Sequence, residues 1–212
     1  MNEITKRIVT SAILLSIFYA AILNKVILTV VLFFCLYQLV FEFLNLVKKI
    51  FKQNYKILLL IILILSYLTY VIIKTWLILS GDTNNDKIIF FILISICIAS
   101  DIGGIIFGKI FKGKKLTKLS PNKTYSGMIG SYLFSFITLL IIFGDLLSYK
   151  QIILFSIFIS SISQIGDLFI SLLKRKAKIK DTDSILPGHG GLLDRFDGLI
   201  FALPIGLTII KI

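Results

Sequence analysis

The stretch ILLLIILILSYLTYVIIKTWLIL, residues 57–79, decides what kind of protein this is. It carries a single charge, Lys74. At the 1.5 Å rise of an α-helix, about 20 such residues cross the hydrocarbon core of a bilayer. Residues 88–107 form a second run of the same quality, and further apolar runs fall at 8–23, 26–47, 127–147, 152–173 and 198–210. The first two are parted only by Asn24 and Lys25, which suits a tight helical hairpin, and the last run is short. The expected fold class is all-α: a polytopic integral membrane helical bundle of about seven transmembrane helices.

Composition agrees. Hydrophobic residues make up 57% of the 212 and charged residues 16%, with a mean hydropathy of +0.97. A soluble domain is about half apolar and a quarter charged. No polar stretch is long enough to build a second core, so one membrane domain is expected overall. Within it, residues 1–94 supply the N-terminal spans and 95–212 the catalytic region with its polar motifs. Lys6 and Arg7 before an apolar run, with Ala20 and Ala21 after it, imitate a cleaved signal peptide. The apolar pattern resumes at once, however, so residues 1–23 read as a retained first span.

The charges set an orientation. With the N-terminus inside, eighteen of the 23 lysines and arginines fall in cytoplasmic segments, leaving Lys25, Lys74, Lys87, Lys150 and Lys211 elsewhere. That asymmetry is a positive-inside signal. It also accounts for the net charge of +12 through anionic lipid headgroups, without nucleic acid as a partner. Cys35 and Cys97 both lie inside apolar runs, where a lone cysteine acts as a small hydrophobe, and their spacing makes neither a disulfide framework nor a metal motif.

Two segments depart from a generic membrane protein. In the first, Ser100-Asp101-Ile102-Gly103-Gly104 leads to Lys118-Leu119-Ser120-Pro121-Asn122-Lys123-Thr124. An aspartate at the end of a span is costly in hydrocarbon and so a functional candidate by default, the alternative being that Asp101 sits at the interface and is simply hydrated. Gly103 and Gly104 serve either close ligand approach or helix packing.

The second segment runs from Gln164-Ile165-Gly166-Asp167 through Ser171, Lys174, Arg175, Lys180 and Asp181. It ends in Pro187-Gly188-His189-Gly190-Gly191-Leu192-Leu193-Asp194-Arg195-Phe196-Asp197. On a helix, Asp167, Ser171 and Lys174 share a face. Asp194 and Asp197, three apart, would share a face of the next helix. Three carboxylates can then converge at the cytoplasmic mouth, and spacing alone leaves two readings open. One is a salt-bridge network with Lys174, Arg175 and Arg195. The other is a Mg²⁺ site, since hard cations take one or two carboxylates plus substrate phosphates. Carboxylates beside lysine and arginine are the apparatus of phosphoryl or nucleotidyl transfer. His189, the sole histidine, fits a phosphate contact or a turn better than acid catalysis, and zinc lacks a second histidine or a nearby cysteine.

These residues resemble a known signature. Ser171-Leu172-Leu173-Lys174-Arg175, Lys180-Asp181, Pro187-Gly188-His189-Gly190-Gly191 and Asp194-Arg195-Phe196-Asp197 are similar to the C-terminal signature of the phosphatidate cytidylyltransferases (CDP-diacylglycerol synthases). Gly166-Asp167-Leu168, Asp101-Ile102-Gly103 and Ser120-Pro121-Asn122-Lys123-Thr124 resemble that family's other cytoplasmic motifs. The likeness runs over roughly residues 95–205; before it only Phe41-Glu42-Phe43 hints at the family.

The resemblance implies a reaction: CTP and phosphatidate give CDP-diacylglycerol and pyrophosphate, in phospholipid biosynthesis. It implies Mg²⁺, with a second cation as an option, on Asp167, Asp194 and Asp197. It implies substrate contacts from Asp101, Ser120, Lys123, Thr124, Ser171, Lys174, Arg175, His189 and Arg195. It also implies a homodimer in a bacterial-type inner (plasma) membrane, with the active site facing the cytoplasm. The alternatives are a CTP-dependent polyprenol or phytol-type lipid kinase and a non-enzymatic membrane protein. Three departures from the family pattern stand out: Ile170 where an acidic residue is usual, Tyr125-Ser126 where Trp-Glu is frequent, and Asp183 where a small residue is commoner.

Overall fold

The computed structural model describes residues 3–51, 56–81, 84–117, 120 and 123–209. Lys118, Leu119, Pro121 and Asn122 of the first motif, and residues 52–55, lie outside the described residues. The described chain is helical: α1 (Glu3–Leu23), α2 (Lys25–Ile50), α3 (Lys56–Ser80), α4 (Asn84–Phe111), α5 (Tyr125–Phe143), α6 (Tyr149–Lys176), α7 (Leu193–Phe196) and α8 (Leu199–Ile209). Six of these, α1 to α6, are long and apolar enough to cross a membrane. α8 has 11 residues with Pro204 inside it, about 16 Å of helix against a core of roughly 30 Å. The expected helix count therefore resolves into six long spans and a shorter seventh apolar helix, a membrane-embedded all-α chain.

The chain divides into two compact units, Met1–Asp82 with Leu173–Phe196, and Thr83–Leu172 with Asp197–Ile212. The segment holding the glycine-rich turn groups with the N-terminal helices.

In the first unit, α1 and α2 are joined at Asn24, whose Oδ1 accepts the Val26 and Ile27 N–H groups at 2.8 and 3.4 Å. That side chain caps α2 and makes the tight hairpin, as an N-terminal asparagine does. α2 buries Gln38, Leu39, Glu42, Phe43, Leu46 and Val47, a stripe at helical spacing. α3 is tied to α2 by the Trp76 indole, which donates to Thr29 Oγ1 at 2.9 Å. α1 reaches the glycine-rich turn, with Thr10 Oγ1 donating to the Pro187 carbonyl at 3.0 Å.

The second unit is built on close contact between α4 and α5. A Cβ at Gly103 would overlap the Gly130 carbonyl, and one at Gly130 would lie 2.6 Å from the Gly103 carbonyl. Gly103 thus serves helix packing, one of the two roles its sequence allowed. Small residues let membrane helices approach, and hydroxyls then bond across them. Ser131 donates to the Ser100 carbonyl at 2.7 Å, and the Ser100 and Ser160 hydroxyls pair at 2.7 Å, which ties α6 to α4. Cys35 and Cys97 are free thiols.

Candidate functional site

Polar residues gather in each unit. In the second unit, Asp167 on α6 meets Asp197, which stands in the turn before α8. Both aspartates adjoin a glycine, and the glycines allow the approach. A Cβ on Gly166 would sit 2.8 Å from the Asp197 carbonyl oxygen, and one on Gly198 would overlap the Ser163 hydroxyl. Asp197 Oδ1 accepts the Gly198 N–H at 2.8 Å. Burial pushes the Asp197 carboxyl up to about 8, helped by the adjacent Asp167 charge, a hydrogen bond with Asp167 and the more distant Asp101 charge. Lys123, just ahead of α5, forms an ion pair with Asp167, and Ser171 donates to Asp167 Oδ1 at 3.3 Å across one helical turn.

The other expected substrate contacts of this unit have local tasks. Thr124 caps α5, accepting the Gly127 N–H at 3.1 Å. The Ser120 carbonyl accepts the Lys123 N–H at 3.1 Å. Asp101 is exposed on α4. Ile170, the departure from the family pattern, is almost fully buried and acts as a core residue.

In the first unit, Asp194 is held from several sides. Lys174 Nζ donates to its Oδ1 at 2.7 Å, while its Oδ2 takes Thr182 N–H at 2.8 Å and Gly191 N–H at 3.1 Å, with the Thr182 hydroxyl oxygen 3.0 Å away. Burial alone would raise the Asp194 carboxyl, but the Lys174 ammonium and the backbone donors of Thr182 and Gly191 outweigh it and hold it below the usual value of 3.8. The expected shared helix for Asp194 and Asp197 does not form. α7 is four residues long and stops before Asp197, because Gly198 favours a turn over helix.

The approach to Asp194 is the glycine-rich turn. Gly188 and Gly190 adopt φ of 77° and 85°, the left-handed region open to glycine. Leu186 N–H donates to the Gly190 carbonyl at 3.0 Å while its own carbonyl takes the His189 N–H at 2.8 Å. Arg195 grips the tip of this turn, its Nε and Nη2 donating to the His189 carbonyl at 2.9 and 2.6 Å. His189 is therefore a turn residue through its backbone. Its Nε2 lies 3.5 Å from Ser11 Oγ, and its buried Nδ1 has no partner among the described residues. Arg175 is exposed at the end of α6.

Sequence reasoning gave Glu42 no role beyond the Phe41-Glu42-Phe43 hint, and it missed Gln38. Glu42 is fully buried, at 0% exposure, and Gln38 nearly so. The signal was present: a carboxylate inside an apolar span is expensive and needs a reason.

Among the described residues, no three histidine, cysteine or acidic side chains are grouped to hold a metal ion. The Asp167–Asp197 pair nevertheless fits a hard divalent cation. Its donors are carboxylate oxygens, and two carboxylates in contact must share a proton or gain a cation.

The family model for the cytidylyltransferase family matches residues 3–212. A phosphatidate cytidylyltransferase of Rickettsia felis is 42% identical over 136 residues, covering 58% of this chain and 58% of that protein. The Rickettsia typhi protein of the same name is 36% identical over 153 residues, 68% of this chain and 67% of its own length. A Helicobacter pylori phosphatidate cytidylyltransferase is 41% identical over 111 residues, 51% of this chain and 42% of its own length. The matches thus span from 42% to 67% of the lengths of these three relatives. With a match along almost its whole length and the signature residues in place, the chain belongs to the cytidylyltransferase family.

Proposed function

We propose that the chain transfers the cytidylyl group of CTP to phosphatidate, giving CDP-diacylglycerol and pyrophosphate. The observation that carries this reading is the Asp167–Asp197 pair with Lys123 on Asp167, in a chain whose relatives are named for that reaction. A phosphatidate oxygen attacks the α-phosphorus of CTP, the bond from that phosphorus to the β-phosphate oxygen breaks, and pyrophosphate leaves. The second pKa of a phosphomonoester is about 6, so the nucleophile is already largely ionised near neutral pH and needs no strong base. What the protein supplies is in-line positioning and relief of repulsion between two anions.

Asp167 and Asp197 are the proposed ligands of Mg²⁺. When bound, the cation neutralises phosphate charge as it builds in the transition state. Lys123, beside Asp167, offers charge-assisted hydrogen bonds to phosphate oxygens. Asp194, the third carboxylate of the signature, has its Oδ2 on the N–H groups of Thr182 and Gly191 and its Oδ1 on Lys174, so its proposed task is to hold that lysine.

The decisive experiment gives purified protein labelled CTP and phosphatidate with and without Mg²⁺. CDP-diacylglycerol and pyrophosphate should appear only with the cation. Release of CDP with a newly phosphorylated lipid would instead assign a γ-phosphoryl transfer, and no turnover would sink the reading.

The proposed setting is a bacterial-type plasma membrane, as a homodimer, with the N-terminus and the polar motifs in the cytoplasm. CTP then arrives from the aqueous side and the lipid laterally. In a background lacking Cys35 and Cys97, a cysteine at position 115 or 178 should resist an impermeant thiol reagent in intact cells and react after lysis. Labelling without lysis would reverse the orientation, and with it access to CTP.

A further inference from the structure

Glu42 is a fully buried charged residue that the proposed reaction does not use. Its carboxylate has all of its acceptor capacity filled. Oε1 accepts Gln38 Nε2 at 2.9 Å and Leu192 N–H at 2.8 Å. Oε2 accepts Thr182 Oγ1 at 2.5 Å and Leu193 N–H at 2.9 Å. A carboxylate has about four lone-pair sites, and every one meets a donor here.

Leu192 and Leu193 stand at the start of α7, where helical N–H groups have no partner within the helix. Glu42 therefore does from α2 what a capping side chain does locally. Gly191 is closed on the same carboxylate: a Cβ there would overlap both the Thr182 hydroxyl and Glu42. Thr182 stands between two acids, its hydroxyl 2.5 Å from Glu42 and 3.0 Å from Asp194, while its N–H bonds Asp194. Asp194 in turn takes Lys174. The hydrogen bonds run without a break from α2 to the Lys174 ammonium.

We propose that Glu42 is a positioning residue that seats the 181–193 turn and, through Thr182, sets the Asp194–Lys174 pair. Its importance for turnover rests on the cytidylyl transfer proposed above. The residue type follows from the donor count. Glutamine at 42 would turn an NH₂ group toward two donors, leaving buried N–H or O–H groups without an acceptor. Aspartate keeps the charge on a shorter stem.

The test uses the full chain in detergent, comparing wild type with Glu42→Gln, Glu42→Asp and Gln38→Ala. Amide exchange is followed in peptides covering 181–195 and, as reference, 125–143. Transfer kinetics are measured with labelled CTP. Glu42→Gln should raise exchange across 182–193 about tenfold with the reference unchanged. Its kcat should fall about 10- to 100-fold, the range for residues that orient others, with KM for CTP within about twofold. Glu42→Asp should recover part of both effects. Gln38→Ala, which removes one donor, should move both slightly in the same direction and serves if Glu42→Gln fails to fold.

Unchanged exchange in 182–193 would overturn the assignment. So would raised exchange with wild-type kcat, because Glu42 would then only stabilise the fold. A wild-type protein without transfer activity would sink the proposed reaction, while the exchange result would still decide whether Glu42 seats the turn.

Discussion

Asp197→Asn should lower cytidylyl transfer by roughly a hundredfold to a thousandfold, the scale of losing one strong electrostatic contact in a transition state. Insertion and melting temperature should hold or improve. Asparagine keeps the size and the hydrogen bond from Gly198 but removes a carboxyl whose ionised form, the form a cation needs, is opposed by burial and Asp167. A site that stores such repulsion trades stability for function. Asp167→Asn should lose activity on the same scale and also the ion pair with Lys123. Rate against Mg²⁺ concentration and thermal melting, measured on both variants, separate the outcomes. Wild-type rates in both would remove the cation from these residues. Asp145→Asn is the control, expected to leave activity intact. Asp183 is a poorer control than its sequence position suggests, because its Oδ2 accepts Gln38 Nε2 at 2.9 Å.

Lys174→Ala should destabilise the chain by about 1–2 kcal/mol, between the value of an exposed ion pair and that of a fully buried one. On the usual scale for a domain of this size, that is a melting shift of about 2–8 °C. The reason is the group left behind: Asp194 would keep its backbone donors but lose the ammonium at 2.7 Å. Adding Asp194→Ala should therefore return part of the loss, and additive effects would show the pair to be uncoupled. The acid response follows. The Asp194 pKa lies below 3.8 in the folded chain, so its stabilisation is complete above about 3.8 and is lost as pH falls through the folded value. Asp194→Asn should flatten that acid limb. If Asp194→Asn instead abolishes transfer and Mg²⁺ dependence at an unchanged melting temperature, Asp194 is a cation ligand.

The helices were legible because a span is a local property: about 20 apolar residues suffice, and Asn24-Lys25 marks its own turn. Asp167 and Asp197 were legible as candidates because each stands beside a glycine in a polar motif, though only the structure places them in contact. Pairing between distant residues was not legible. Lys174 and Asp194 both stood out, yet nothing in their spacing distinguished a mutual bond from contacts to phosphate. The role of Thr124 was hidden for a related reason, since a threonine before a helix serves a cap or a ligand with the same hydroxyl. The division into units depends on long-range packing, so the segment at 173–196 gave no sign that it groups with the first helices. Glu42 was visible only within the Phe41-Glu42-Phe43 hint, and its purpose lay in donors 140 to 151 residues away.

That separation has a consequence for biosynthesis. Ribosomes add roughly 5–20 residues per second, so α2 exists for about 7 to 30 seconds before Thr182, Leu192 and Leu193 are made. Only Gln38, one turn back on the same helix, accompanies the carboxylate from the start. During that interval the nascent chain holds an acidic group in an apolar span with one of its eventual donors. Delivery of this helix to the bilayer thus precedes most of the hydrogen bonds that satisfy its carboxylate. The first unit is completed only when residues 173–196 have left the ribosome.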